Sequence, residues 1–160
     1  MIEQINVGVI GTGWCGGIRT KACSDNPLVD KVFIAEINND RRKEVADQYD
    51  VYESVSDWQK LILNPDIDTI IISATPETTH YPMALAALQA GKNVFMEKPI
   101  ATTLEQADEL IQIAIDKDVK FTIGYSQRFN SKYAYVQKAL SEGLIGCLLY
   151  TSPSPRDRSI

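Results

Sequence analysis

Residues 5–16 read INVGVIGTGWCG, an apolar run that ends in a glycine-rich turn. Gly11 allows a tight turn off a buried strand, and Gly13 lets the backbone come close to a pyrophosphate. Gly16 lets the following helix pack closely on the strand. The phosphates would then lie at a helix N-terminus, where unpaired N–H groups and the helix dipole stabilise negative charge. The pattern predicts a dinucleotide site; a plain tight turn between strand and helix is the alternative.

Glu36 ends a second apolar run, Val32–Glu36, and lies about 20 residues beyond Gly16, as the acid of this fingerprint does. A carboxylate at that strand end can accept hydrogen bonds from both ribose hydroxyls of adenosine. We expect Thr12 and Trp14, inside the turn, to contact the same cofactor.

Arg41 and Arg42 follow Glu36 and could receive a ribose 2′-phosphate. Glu36 opposes this, because a carboxylate about 4 Å from a phosphate costs about 1 kcal/mol in water and about 4 kcal/mol near a protein surface. The expected cofactor is therefore NAD rather than NADP.

The composition is that of a globular domain, with 160 residues of which 44% are hydrophobic and 23% charged. The net charge of −5, with scattered Lys and Arg, argues against nucleic-acid and anionic-membrane partners. No apolar run approaches the roughly 20 residues of a membrane span, and Met1–Gln4 carries an acid where a signal peptide is basic. A cytoplasmic location is expected. Three cysteines without C-x-x-C spacing argue against a disulfide framework and a metal site.

Strand-like apolar runs alternate with helical patterns along the chain. Crossover helices between such runs imply an α/β fold with a doubly wound parallel sheet, covered on both faces. The six predicted strands are Ile5–Ile10, Val32–Ile37, Val51–Tyr52, Thr69–Ser73, Asn93–Met96 and Phe121–Tyr125.

Helix boundaries also have sequence signals. Residues 56–59 and 103–106 each fit a capping box, and Gly91 and Gly143 occur where a left-handed helix end is expected. Helical spacing in the helix after residue 103 predicts one buried apolar stripe. Its members are Leu104, Ala107, Leu110, Ile111, Ala114 and Ile115.

In a doubly wound sheet, ligands bind beyond the carboxyl ends of the strands, at the point where the strand order reverses. Lys98 lies just past the fifth strand, where Pro99 keeps it out of helical geometry and directs its ammonium into the crevice. An ammonium there can hydrogen-bond a substrate hydroxyl and favour loss of its proton during oxidation. Glu97 is either a cofactor or ribose contact, or a structural acid that pairs with a charge.

The loops after the fourth and sixth strands contribute the other candidates. Thr75 and Pro76 would pass under a nicotinamide ring. His80 follows near a helix start, where it is either a catalytic base, a cofactor contact or a hydrogen-bonded structural residue. Arg128 could bind the cofactor or an anionic substrate, or could serve in capping and ion pairing.

Four motifs together resemble the Gfo/Idh/MocA oxidoreductases over about residues 4–146. These are the glycine turn, Ala74–Pro76 with His80, Glu97–Pro99, and Gly124–Phe129. The resemblance implies a Rossmann domain that binds a nicotinamide cofactor, and hydride transfer from a sugar, polyol or related hydroxyl carbon aided by Lys98. It also implies a second domain, which supplies an aspartate, a histidine and often the interface of a homo-oligomer.

The expected organisation is a dinucleotide domain over residues 1–125, then a linking helix and the start of a truncated substrate domain over 126–146. Residues 147–160 include two prolines in three residues, Pro153 and Pro155, which cannot continue a central strand. This stretch resembles a translated sequencing adapter and is expected to be disordered; a genuine Pro/Ser-rich tail is the alternative.

The expected function is therefore an NAD-dependent dehydrogenase in the parent protein, represented here by a cofactor-binding fragment without turnover. Two alternatives remain. One is a nucleotide-responsive binding or regulatory module, because fold does not fix function. The other is a different Rossmann reductase, acting on a cyclic imine or a biliverdin-like pigment.

Overall fold

The structure, a computed structural model, describes residues 4–144. The chain divides after Gly124 into two units. The first unit is a six-stranded parallel sheet with strand order β3-β2-β1-β4-β5-β6, which is the doubly wound order. The strands are β1 Ile5–Ile10, β2 Val29–Ala35, β3 Glu53–Val55, β4 Thr69–Ile72, β5 Asn93–Met96 and β6 Phe121–Ile123. Its α-helices are α1 Trp14–Ser24, α2 Asn39–Gln48, α3 Trp58–Leu63, α4 His80–Gln89 and α5 Leu104–Asp116.

The central strands are continuous apolar runs because both of their faces are covered. Alternate residues of β1 and β2 enter two separate cores: Val9 and Ile34 pack on one side of the sheet, Ile10 and Phe33 on the other. All four side chains are almost completely buried. This explains why the apolar runs predicted a parallel sheet, and that fold class is confirmed.

The third strand is displaced from its predicted position at Val51–Tyr52. The structure places β3 at Glu53–Val55, an edge strand that pairs only with β2. Tyr52 precedes it and donates its N–H to the Val32 carbonyl, while its exposed ring contacts Phe33 at a centroid separation of 5.2 Å. The apolar pair is thus a packing segment before the strand. Its β propensity therefore predicted the wrong residues as the strand.

Helix ends agree in part with the predicted signals. Thr103 caps α5 by accepting a hydrogen bond from the Gln106 N–H, and Gly91 has a positive φ of 75° after α4. At α3 the cap is Asp57, which accepts from the Gln59 N–H, and the prediction that placed Ser56 there is wrong.

The predicted buried stripe on α5 is wrong for half of its members. Leu110 and Ala114 are buried, but Leu104 and Ile115 are 79% and 66% exposed, and Ile111 is also exposed. Helix α5 packs against α4 on one side, so only the narrow face toward α4 and the sheet enters the core. Apolar spacing alone did not show how wide that face is.

The second unit contains a short 3₁₀ helix, Ser126–Phe129, and α6, Ser131–Ser141. The Asn130 side chain caps α6 by accepting from the Lys132 N–H, and Gly143 follows the helix with a positive φ of 73°. Residues 145–146, at the end of the linker predicted over 126–146, and the whole predicted tail, 147–160, lie outside the described residues. None of the helices in residues 4–144 has both the length and the apolar character needed to span a membrane.

Candidate functional site

The candidate site is a cleft of about 620 Å³ in the first unit, beyond the carboxyl ends of β1, β2, β4 and β5. Three backbone hydrogen bonds bring these ends side by side. Gly11 N–H donates to the Ala35 carbonyl, Ser73 N–H to the Ile10 carbonyl, and Glu97 N–H to the Ile72 carbonyl. The cleft therefore lies where the strand order reverses between β1 and β4, as expected for a ligand site of this fold.

The three glycines of the turn have different environments. Gly11 has a φ of +80°, and a Cβ there would lie 2.6 Å from the Ala74 Cα. A Cβ at Gly16 would lie 1.8 Å from the Gly11 carbonyl oxygen, so the helix could not pack as it does. A Cβ at Gly13 would meet nothing within 4 Å, because Gly13 borders the open cleft. The turn thus has two glycines required by packing and one that keeps the surface open.

Glu36 folds back onto the turn. One carboxylate oxygen accepts from the Thr12 N–H at 2.8 Å and from the Thr12 hydroxyl at 3.1 Å, and the other accepts from the Asn38 N–H at 3.0 Å. Thr12 is completely buried and does not line the cleft, so its part in the site is to hold the Glu36 carboxylate by these two hydrogen bonds. Glu36 and Trp14 do line it, and Trp14 is 82% exposed at the rim.

Arg41 and Arg42, which follow β2, form hydrogen bonds with the backbone near Glu36. Arg41 donates from Nε to the Thr12 carbonyl at 2.8 Å and pairs with Glu44. Arg42 donates to the Glu36 carbonyl at 2.7 Å. Both guanidinium groups are thus engaged with protein oxygens.

Glu97 and Lys98 differ in their surroundings. The Glu97 carboxylate accepts from Arg19 Nε at 3.0 Å and from Nη2 at 2.5 Å, and the Arg19 guanidinium lies 5.0 Å from the centroid of the Phe95 ring. Lys98 is exposed and lines the cleft, and within residues 4–144 its ammonium makes no hydrogen bond or ion pair. The structure thus supports the charge-pair alternative for Glu97 and leaves the Lys98 ammonium available to a ligand.

Arg19 is a site residue that the sequence interpretation missed. It lies on α1, three residues after Gly16, and therefore on the side of the helix that faces the sheet. Charged side chains rarely lie on the buried side of a helix unless they are paired. The position of Arg19 beside the buried Thr20 could therefore have indicated that its guanidinium has a partner.

His80 is the only histidine of the chain and is 2% exposed. Its Nε2 lies 3.0 Å from the Ala74 carbonyl, and its Nδ1 lies 3.0 Å from the Pro99 carbonyl. Both ring nitrogens therefore face backbone oxygens, which supports the structural alternative over a free base. Thr75 and His80 line the cleft, so the cofactor contact predicted for His80 stays a prediction, whereas Pro76 does not line it.

Arg128 lies in the second unit, within the 3₁₀ helix, with its guanidinium carbon 5.7 Å from the Tyr125 ring centroid. Its predicted contact with the cofactor stays a prediction. Among the described residues, no group of three or more His, Cys, Asp or Glu side chains could hold a metal ion.

A dinucleotide fits what the cleft offers. The open space at Gly13 can admit a phosphate against the backbone, at the N-terminus of α1. Ser73, on the floor of the cleft, has a buried hydroxyl without a hydrogen-bond partner in the part of the chain that the structure describes. Buried polar groups without a partner in the protein commonly bind a ligand or a water.

Comparison with known proteins gives the same assignment. The family described as an oxidoreductase family with an NAD-binding Rossmann fold, Gfo/Idh/MocA, matches residues 5–125. Levoglucosan dehydrogenase of Pseudarthrobacter phenanthrenivorans is 34% identical over 92% of this chain and 40% of its own length. The NADP(+)-dependent scyllo-inositol 2-dehydrogenase IolW of Bacillus subtilis is 30% identical over 89% of this chain and 39% of its own length.

A solved structure of scyllo-inositol dehydrogenase from Lactobacillus casei, with bound NAD(H) and scyllo-inositol, matches with a TM-score of 0.80 at 27% identity. The match covers 90% of this chain and 43% of that one. The chain therefore spans well under half the length of these relatives. From the match over residues 5–125 and the geometry of the cleft, we conclude that the chain belongs to the Gfo/Idh/MocA oxidoreductase family and carries its NAD-binding Rossmann domain.

Proposed function

We propose that the protein to which this chain belongs transfers hydride between a hydroxyl-bearing carbon of a sugar or polyol and NAD. The observation that carries the proposal is the exposed Lys98 ammonium on the same cleft as the glycine turn and Glu36. A nucleotide-responsive regulatory module would not need an ammonium at this position. The comparisons support the substrate class, since the relatives are dehydrogenases of levoglucosan and inositol.

In this proposal each part of the cleft holds one part of the cofactor. The N–H groups at the start of α1 bind the pyrophosphate beside Gly13. A carboxylate has about four acceptor sites, and Glu36 uses three of them for Thr12 and Asn38, which leaves about one for a ribose hydroxyl. Thr75 borders the nicotinamide end together with Lys98. A nicotinamide held there would supply the acceptor for the hydride that leaves the substrate carbon.

Lys98 acts on the substrate oxygen. Its ammonium donates a hydrogen bond to the hydroxyl and stabilises the negative charge that develops as the O–H proton leaves. An ammonium cannot itself accept that proton, so the reaction needs a base. The resemblance to the family implies that this base lies in a second domain. We therefore expect this chain to bind NADH weakly and to show no turnover.

The parent is further proposed to be a cytoplasmic homo-oligomer. Cofactor selectivity favours NAD over NADP because the Glu36 carboxylate lies where the ribose hydroxyls bind. A Rossmann reductase would use the same class of cofactor, so only the substrate distinguishes it from a polyol dehydrogenase. Oxidation of polyols by the full-length parent would exclude a pigment reductase.

The binding part of the proposal can be tested by intrinsic fluorescence. The two tryptophans of the chain, Trp14 and Trp58, both line the cleft, so bound NADH should quench their emission with saturation. Trp58→Phe leaves Trp14 as the single reporter at the rim and should keep the quenching. An unquenched, folded chain at millimolar NADH would contradict cofactor binding.

The turnover part is tested by mixing the chain with NAD and inositol or levoglucosan. No NADH absorbance should develop. Sustained NADH formation by the purified chain would show that the base is already present and would overturn the expected role of a second domain.

A further inference from the structure

We propose that His80 is a positioning residue that ties the loop after β4 to the loop after β5, so that Thr75 and Lys98 are held in one arrangement. The inference deepens the proposed function and rests on it only for its binding measurement. Two contacts of the ring are the observation that carries it: Nε2 lies 3.0 Å from the Ala74 carbonyl oxygen and Nδ1 lies 3.0 Å from the Pro99 carbonyl oxygen.

These two carbonyls directly flank the residues that border the cleft. Ala74 precedes Thr75, and Pro99 follows Lys98, so a shift of either carbonyl would move a cleft residue. His80 itself is fixed, because it begins α4 and is 2% exposed. The ring is therefore a short link between the two loops, beyond the last backbone hydrogen bond between their strands, from the Glu97 N–H to the Ile72 carbonyl.

The other side of Lys98 is held as well. Glu97 accepts two hydrogen bonds from Arg19 on α1, and its side chain is only 13% exposed. Lys98 thus lies between two anchored neighbours, Glu97 and Pro99, while its own side chain stays exposed. This is the arrangement expected of a loop that presents one functional group to a ligand.

Either tautomer of the ring has a carbonyl oxygen within hydrogen-bond distance. A carbonyl oxygen only accepts hydrogen bonds, so the ring donates from whichever nitrogen carries the proton. Because each nitrogen lies 3.0 Å from a carbonyl of a different loop, the ring donates to one loop while its other edge stays in contact with the second.

The direct test uses NMR spectroscopy of the isotopically labelled chain. Because His80 is the only histidine, its ring signals need no assignment. We expect a ring N–H proton protected from exchange with water, and nuclear Overhauser contacts from the ring to both Ala74 and Pro99. A ring without a protected proton, or with contacts to only one of the two loops, would overturn the two-sided link.

The binding test compares NADH with ADP, which carries the adenosine and phosphate groups but no nicotinamide. His80→Leu removes both ring nitrogens and should weaken NADH binding about tenfold, while ADP affinity changes less than about twofold. His80→Gln keeps an amide with two N–H donors and should recover part of the NADH affinity. Equal losses for both ligands, or none for either, would overturn the positioning role.

A control separates positioning from general destabilisation. Leu88→Val changes a buried residue about two turns further along α4, away from both loops, and should leave the ratio of NADH to ADP affinity unchanged. A changed ratio in Leu88→Val would count against the proposal, because the ratio would then not report on the link. If His80→Leu does not fold, His80→Gln and the ring protons of the unsubstituted chain decide the question. If the unsubstituted chain binds neither ligand, the proposed function fails, and the ring protons still decide the link.

Discussion

Two glycines three residues apart in the turn should respond to alanine in opposite ways. At Gly16 the added Cβ would lie 1.8 Å from the Gly11 carbonyl oxygen, so the backbone of the turn or of α1 must shift. Overpacking of this kind costs about 1–3 kcal/mol and occasionally more, and a backbone atom cannot move aside as a side chain can. Alanine also gains about 1 kcal/mol of helix propensity over glycine. Because the overlap is so deep, we expect Gly16→Ala to lose at least about 2 kcal/mol of unfolding free energy.

At Gly13 the same substitution meets open space. Gly13 is the N-cap of α1, where alanine is poorer than glycine, so Gly13→Ala should cost about 1 kcal/mol or less. Its methyl group would instead keep the pyrophosphate from the backbone, and NADH affinity should fall about tenfold or more.

Urea unfolding followed by circular dichroism and NADH titration of both variants test this contrast. Gly16→Ala should unfold at a lower urea concentration than the unsubstituted chain. Gly13→Ala should stay folded but bind NADH more weakly. A Gly13→Ala variant that binds NADH like the unsubstituted chain would refute the assignment of Gly13 to the ligand. A Gly16→Ala variant of unchanged stability would refute the packing role of Gly16.

Three further predictions concern other residues. Glu36→Gln should shift the ratio of NADPH to NADH affinity at least about tenfold toward NADPH, because a carboxylate no longer repels the 2′-phosphate. Parallel titrations with the two cofactors measure this ratio. Tighter binding of NADPH than of NADH by the unsubstituted chain would contradict the role of Glu36. Lys92→Met should cost about 1–3 kcal/mol in urea unfolding at neutral pH, since the buried ammonium donates to the Asn64 and Ile67 carbonyls, and an unchanged midpoint would contradict this. The Tyr81 hydroxyl donates to Glu109, which raises the pKa of the phenol, so the unfolded chain loses this proton first. The stability difference between the unsubstituted chain and Tyr81→Phe should therefore be constant from neutral pH to about pH 10 and shrink above it, and a growing difference would contradict the sign.

The pKa of the Lys92 ammonium is lower than that of a surface lysine. Burial removes part of its solvation and so lowers the pKa, although the Asp68 and Asp66 carboxylates oppose the shift. Between the lowered pKa and the ordinary value near 10.4, the unfolded chain therefore binds more protons than the folded one. This group's contribution to stability rises with pH in that window, opposite to that of Tyr81.

The sequence predicted the fold because its strongest signals are local. Apolar runs such as Ile5–Ile10 are buried on both faces, and their order along the chain with crossover helices permits few topologies. Weak local signals were less reliable. Val51–Tyr52 has the propensity of a strand but pairs poorly with β2, and Ile115 has helical spacing but no neighbour in the described structure to cover it.

The site could be predicted only as far as each residue's position after a strand. Glu36 and Lys98 line the cleft as expected, since both follow parallel strands whose ends meet there. The bond between Arg19 and Glu97 joins residues 78 apart in sequence, and no local pattern encodes it. The same holds for His80, whose two carbonyl partners come from separate loops.

The central claim is that the cleft beyond β1, β2, β4 and β5 is a dinucleotide site. Amide chemical shifts of the labelled chain, followed during titration with NADH, test it most directly. We expect saturable shifts that map to residues 11–16, 36–41, 73–80 and 97–98. Shifts that map to other parts of the first unit, such as α5, or the lack of saturable shifts in a folded chain, would contradict it.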